Sequence, residues 1–206
     1  LRELESWLTR DLVIANVSSG QKDDPTHANI VVVNYEMVGK RREILDELPA
    51  RSLSGASTDG LASHAQGSKA QGSRLPWDAI VCDEAHYMKN PVSKRTMGVL
   101  GDTRFAKPRI IRQSGLGEPM RTDRLWLLTG TPLLNHPVEV FPLLKACDPT
   151  AEMVPHALTL STFQKRYCNP RKTPWGMDYS GSSNLTELRS LLDDSGLLLR
   201  RTKRQV

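Results

Sequence analysis

Trp77-Asp78-Ala79-Ile80-Val81-Cys82-Asp83-Glu84-Ala85-His86 is the stretch that decides the fold. A short apolar run ends abruptly in two adjacent carboxylates. This predicts a strand over 77–82 that delivers Asp83 and Glu84 at its carboxyl end. Two other runs have the same form. Ile30-Val31-Val32-Val33 leads into Asn34-Tyr35, and Leu125-Trp126-Leu127-Leu128 leads into Thr129-Gly130-Thr131-Pro132. Leu12-Val13-Ile14-Ala15 predicts a further buried strand. Helices are expected over about 36–48, closed by Pro49, after Pro91, over 138–146, and more briefly over 162–167 and 185–192. For the last, Asn184 is the expected N-cap, Glu187 completes a capping-box pattern, and Leu185, Leu188, Leu191 and Leu192 form one apolar face. Strands alternating with helices give an α/β fold with a mainly parallel sheet. In such a sheet the polar groups that follow the strands emerge at one edge, where ligands bind.

Two segments interrupt the pattern. Residues 50–74 are dominated by Ser, Gly and Ala, and Ala65-Gln66-Gly67-Ser68-Lys69 nearly repeats as Ala70-Gln71-Gly72-Ser73-Arg74. This composition buries too little apolar surface to offset ordering, so a disordered surface insertion is expected. Residues 106–124, with Pro108, Gly115, Gly117 and Pro119, read as a second loop insertion.

Bulk composition narrows the class. With 206 residues and 38% hydrophobic content, the chain suits one domain or part of a larger one. Lys and Arg number 28 against 23 Asp and Glu, a net charge of +5 that is compatible with a nucleic-acid partner without requiring one. No run approaches the roughly 20 apolar residues of a membrane span, and the charged start is unlike a signal peptide. Cys82, Cys147 and Cys168 are too widely spaced for a disulfide framework or a zinc site, which suggests a reducing, intracellular setting. His27, His64, His136 and His156 have no ligand spacing. No Gly-x-Ser-x-Gly elbow occurs. Trp7, Trp77, Trp126 and Trp175 are read as core or loop anchors rather than base-stacking platforms. The start at Leu1 and the stop at Val206 after a basic cluster suggest a fragment.

The strand-end groups carry the chemistry. Asp83 can hold Mg²⁺, a hard cation that prefers carboxylate oxygen and keeps much of its water. Glu84 can orient a water for attack on a terminal phosphate. The plain alternative is an acidic turn opening a helix, where carboxylates favour the N-terminal dipole. Thr129-Gly130-Thr131 offers two hydroxyls and a close backbone approach, or else an ordinary turn punctuated by Pro132 and Asn135.

Together these motifs bear a family resemblance. Asp83-Glu84-Ala85-His86-Tyr87-Met88-Lys89-Asn90-Pro91 resembles motif II of the Swi/Snf-type superfamily-two ATPases. Leu127-Leu128-Thr129-Gly130-Thr131-Pro132-Leu133-Leu134-Asn135 resembles motif III. Asn34-Tyr35-Glu36 is similar to a turn that in this family contacts DNA, and Leu199-Arg200-Arg201-Thr202-Lys203 to the segment closing the first lobe. Arg166-Tyr167-Cys168, Asp178-Tyr179-Ser180-Gly181 and Ser183-Asn184-Leu185 are similar to the annealing-helicase (HARP-like) branch.

The resemblance implies a partial, N-terminal RecA-like lobe over 1–206, using ATP and Mg²⁺ and moving on duplex or forked DNA. It implies Asp83 and Glu84 as catalytic residues, with Asp83 at the metal. His86, Thr129, Gly130 and Thr131 would couple hydrolysis to DNA, and Asn34, Tyr35, Arg200, Arg201 and Lys203 would contact it. The basic run 200–204 reads equally as a solvated charge cluster. A second lobe is expected beyond Val206, and an intracellular location, the nucleus if the source is eukaryotic and the cytoplasm if it is bacterial or phage. One departure stands out. The phosphate-binding loop needs Gly-x-x-x-x-Gly-Lys-Ser/Thr, and Gly39-Lys40 has Asn34 and Arg41 where the first Gly and the Ser/Thr belong. The family places that loop upstream of Leu1, so this segment alone is expected to be inactive. Two other readings stay open at this point: a non-catalytic DNA-binding relic, and another superfamily-two motor such as a restriction translocase or RNA helicase.

Overall fold

A computed structural model describes residues 12–18, 23–46, 77–106, 117–122, 124–131 and 135–200. The expected insertion at 50–74 lies outside the described residues. Strands β1 (Ile14–Val17) and β2 (Ile30–Val33) pair in parallel, Ile14 opposite Ile30. Strands β3 (Ile80–Cys82) and β4 (Leu125–Leu127) also pair in parallel, Cys82 opposite Leu127. β1 begins two residues later than Leu12, and at Val13 the backbone N–H goes to the Asn29 side-chain oxygen at 2.9 Å rather than to a strand carbonyl.

Among the described residues the strands are covered on one face. Cys82 and Ala15 are buried, whereas Val32, Val81 and Trp126 are 39%, 55% and 59% exposed. The covered face packs on Val38, Leu45, Ala85, Met88, Val99, Leu100 and Leu143. These come from α1 (Tyr35–Val38), the helical turn 42–46, the 3-10 turn Ala85–Met88, α2 (Lys94–Val99) and α3 (Phe141–Cys147). The single helix expected over 36–48 is broken at Gly39-Lys40, where a poor helix former lets the chain turn. Just beyond the break, Arg42 is buried at 5% exposure. It pairs with Asp46 at 2.9 Å and donates to the carbonyls of Gly98, Glu118 and Pro119. The buried charge is paired, and four of its five N–H donors are hydrogen-bonded.

Those carbonyls bear on the segment expected to be a loop over 106–124. Residues 117–122 are instead tied to the core: Asp102 N–H donates to Gly117 O, Met120 N–H to Val99 O, and Trp77 bridges Thr122 in parallel. They extend the β3–β4 ladder backwards, a role that Pro and Gly content does not reveal.

The C-terminal third builds a second core. The 3-10 turn Pro137–Val140, α3, α4 (Leu160–Tyr167) and α5 (Leu185–Ser195) enclose Phe141, Phe163, Tyr167, Leu188 and Leu192. Phe163 lies 5.3 Å from Phe141 and 4.9 Å from Tyr167 between ring centroids, tilted in both cases. Each such buried side chain contributes about 1.5–3 kcal/mol of burial. Between α4 and α5 an antiparallel hairpin, β5 (Arg171–Thr173) with β6 (Gly176–Asp178), departs from the expected parallel pattern.

The capping box falls on α4, not α5. Thr159 and Thr162 exchange side-chain and backbone bonds at the start of α4. Asn184 sits at φ 50°, ψ 32° without a side-chain cap bond, and its amide donates instead to Arg166 O. Glu187 turns to Arg166 and to the Tyr167 hydroxyl, the latter at 3.0 Å. Of the expected apolar face, Leu188 and Leu192 are buried and Leu191 packs alongside, but Leu185 at the helix start is 45% exposed.

Candidate functional site

The ladder between β3 and β4 continues beyond both strands. Leu128 N–H donates to Cys82 O at 2.9 Å, and Ala85 N–H donates to Leu128 O at 2.8 Å. Four backbone groups thereby staple the Asp83-Glu84 turn to the segment that starts at Thr129. Within that turn Glu84 is left-handed, φ 48° and ψ 48°. For a non-glycine residue this costs on the order of 1–2 kcal/mol, tolerated only where the surroundings over-determine it. Asp83 accepts the Glu84 N–H through Oδ1 at 3.0 Å. Both acidic residues are exposed, and the Glu84 side chain is 56% accessible.

His86 joins the two motifs. Its Nδ1 lies 3.0 Å from Glu84 Oε2 and 3.3 Å from Thr129 Oγ1. Both contacts fall on one ring nitrogen, so Glu84 and Thr129 compete for it. Thr129 Oγ1 also accepts the N–H of Thr131 at 3.2 Å. A Cβ built on Gly130 would meet nothing within 4 Å, so the protein itself does not require glycine there.

The third strand end joins from below. The Tyr35 hydroxyl donates to the Asp83 carbonyl at 2.6 Å. Burial, then the neighbouring Cys82, Asp83 and Glu84, hold this hydroxyl well above its ordinary range, which keeps it a donor. Burial likewise pushes the Cys82 thiol up to about 11, against the hydrogen bond from Tyr35. Cys82 is therefore the small buried hydrophobe expected from its apolar run.

One participant carried no sequence signal. Glu139, in the 3-10 turn before α3, receives Lys89 Nζ at 3.1 Å through Oε1 and the Asn135 N–H at 3.0 Å through Oε2. Burial opposes its charge, but the Asn135 N–H and Lys89 hold its carboxyl below the usual range. It fastens the end of one motif to the end of the other, and its partner Lys89 is 50 residues away in the chain.

Tyr35, Asp83, Glu84, His86, Thr129 and Thr131 are thus one hydrogen-bonded group at the carboxyl ends of β2, β3 and β4. Asn34 and Arg200 are exposed, without contacts to that group among the described residues. Arg201 and Lys203 lie outside the described residues, as do Pro132 to Leu134.

Comparison with known proteins follows the same lines. The family model described as the SNF2-related domain matches residues 1–206. A Bos taurus SWI/SNF-related matrix-associated actin-dependent regulator of chromatin subfamily A-like protein 1 is 35% identical over 131 residues, covering 64% of this chain and 12% of that protein. The DNA annealing helicase and endonuclease ZRANB3 of Bos taurus is 34% identical over 133 residues, 62% of this chain and 10% of its own length. The chain therefore spans only a small part of these relatives. The Sulfolobus solfataricus SWI2/SNF2 ATPase core in complex with dsDNA superposes with a TM-score of 0.58 at 18% identity, over 98% of this chain and 31% of that one. That likeness shows the fold, an α/β RecA-like lobe. With the family match running from end to end, the chain belongs to the SNF2-related domain family.

Proposed function

We propose that this chain is part of a DNA-dependent ATPase motor, contributing one half of the nucleotide site and the coupling path from it toward DNA. The observation that carries this reading is the pair of exposed carboxylates at the end of β3, joined through His86 to the Thr129-Gly130-Thr131 turn at the end of β4.

The donor set suits Mg²⁺ carried by a nucleotide. Among the described residues no cluster of three or more His, Cys, Asp or Glu could form a protein cage. Mg²⁺ commonly takes one or two carboxylates plus phosphate oxygens and water. Asp83 would hold it, and the ion would neutralise charge on the phosphates. Glu84 is free to accept a proton from a water and aim it at a terminal phosphate. Its exchange between His86 and water gives a route for coupling: when Glu84 turns to water, His86 Nδ1 is left to Thr129. Tyr35 holds the Asp83 carbonyl and links the nucleotide side to the turn at Asn34. Asn34, Arg200, Arg201 and Lys203 are the proposed phosphate-backbone contacts to DNA. A second RecA-like lobe and a phosphate-binding loop from the whole protein would complete the site. Work on chromosomal DNA implies a nuclear location in a eukaryote. No helix among the described residues is long and apolar enough to cross a membrane.

The test is ATP turnover by the full-length protein with and without duplex DNA, beside Glu84→Gln. DNA-stimulated turnover that falls at least about a hundredfold in Glu84→Gln, with nucleotide binding kept, is the expected result. A parent protein that neither binds nor hydrolyses ATP would make these motifs remnants on a DNA-binding scaffold.

A further inference from the structure

The β5–β6 hairpin has no part in the site above, and its construction is unusual for a connection. Five of its six strand residues are exposed and Thr173 is half-buried, so neither face packs on a core. An isolated two-stranded ribbon is marginal in water, yet this one is held at every joint. Pro174 presets the turn backbone, the Thr173 hydroxyl donates to Gly176 O at 2.8 Å, and Trp175 N–H donates to Thr173 Oγ1 at 3.3 Å. Gly176 takes φ 127°, a conformation L side chains rarely adopt. At the base, Ser183 N–H donates to Tyr167 O, and Ser183 Oγ and the Asn184 amide both donate to Arg166 O. Tyr179 packs into the second core.

What this braced ribbon presents is Trp175, 97% exposed at its tip. A tryptophan is expected to anchor the core or a loop; among the described residues this one packs against no core. Beside it on β5 stand Arg171 and Lys172, both exposed. Arg171 faces Asp178 across the pair, and Lys172 faces Met177, itself 49% exposed. A flat aromatic surface with adjacent cations matches one ligand chemistry best. Unpaired bases have open π-faces for Trp175, and a linking phosphate suits Lys172, while Arg171 lies on the other face, opposite Asp178. Bases inside a duplex already stack on their neighbours and offer no such face.

We propose that the β5–β6 hairpin binds a single-stranded stretch of nucleic acid, with Trp175 stacking on an unpaired base and Lys172, on the face that carries no carboxylate within the ribbon, meeting the backbone. This rests on the DNA-motor reading for its biological setting, but its measurement does not. In the full-length protein, Trp175→Ala weakens binding to an oligothymidylate of about 20 nucleotides by on the order of tenfold, and Trp175→Phe restores most of it. Duplex-stimulated ATP turnover stays at the parent level in Trp175→Ala, because the hairpin lies outside the nucleotide site. The exposed position makes both variants fold like the parent, which circular dichroism checks.

Unchanged oligothymidylate binding in Trp175→Ala would overturn the proposal. So would full restoration by Trp175→Leu, which would mark an apolar protein partner. An equal loss of duplex-stimulated turnover would overturn it too, placing the hairpin on the duplex path. If the parent shows no DNA-stimulated turnover, the motor reading fails while the direct binding result still decides this one.

Discussion

The two cores of this molecule are built on opposite terms. The helical core around Phe141, Phe163 and Tyr167 is closed, each of the three being fully buried, and beside it Asp148 accepts the N–H groups of Glu152, Met153 and Val154. The strand core leaves Val81 and Trp126 more than half exposed on its open face, and it carries Glu84 in a left-handed turn at its edge. One region closes around its aromatic side chains. The other accepts strain and exposure at the edge where chemistry is proposed. Strain persists at such an edge only because neighbouring bonds over-determine it, and here those bonds are the ladder contacts from Cys82 to Leu128 and from Leu128 to Ala85.

This contrast can be broken at several points. The largest effect is expected for Phe163→Ala in the helical core, a loss of about 3–5 kcal/mol. Amide exchange in the full-length protein should accelerate across 140–192 and change little over 80–88. If nucleotide affinity of the still-folded protein fell as well, the two cores would be a single cooperative unit. Next is Tyr35→Phe, which removes the hydrogen bond to the Asp83 carbonyl and should cost about 1 kcal/mol locally. Faster exchange near Asp83 with reduced turnover supports a positioning role. Unchanged turnover would leave Tyr35 as packing alone. The smallest effect has the opposite sign. Asn tolerates the left-handed conformation better than Glu, so Glu84→Asn should slow local exchange by the equivalent of a few tenths to about 1 kcal/mol while abolishing turnover. A variant that is both inactive and less protected would show that the turn stores no strain.

Much of this was legible in the sequence, for reasons that differ by element. The strand ends were readable because each apolar run stops at a polar group. Parallel pairing of β3 with β4 puts Asp83-Glu84 and Thr129 at one edge, whereas Tyr35, at the end of the separate β1–β2 pair, reaches that edge only through its hydroxyl bond to the Asp83 carbonyl. The one-sided burial of Val81 and Trp126 was not legible, because a continuous apolar run reads the same whether one face or two is covered. Asn184 is the N-cap of α5 as expected, but the capping box does not form, because Asn184 and Glu187 bond instead to Arg166, 18 and 21 residues back. Local patterns cannot register such competition. Glu139 was silent for the same reason: an acidic residue in a turn is common, and its meaning comes from Lys89 across the fold. Trp175 was misassigned because tryptophan is usually an anchor, and only the geometry of a ribbon with no core beneath it says otherwise.

Arg42 has a consequence for how this domain tolerates change over evolutionary time. Its guanidinium fixes the chain just before residue 47 against Gly98, Glu118 and Pro119, and Leu45 and Trp77 both rest on the strand core. The connection 47–76 therefore leaves from and returns to points already secured by other contacts. Closing a longer connection between fixed points costs only about 0.6 kcal/mol for each doubling of its length. Lengthening, repetition or shortening between Leu45 and Trp77 is thus nearly free, so long as Arg42 keeps its three carbonyls. Relatives of this chain can be expected to differ most in length at that interval while conserving the residue that makes the difference harmless.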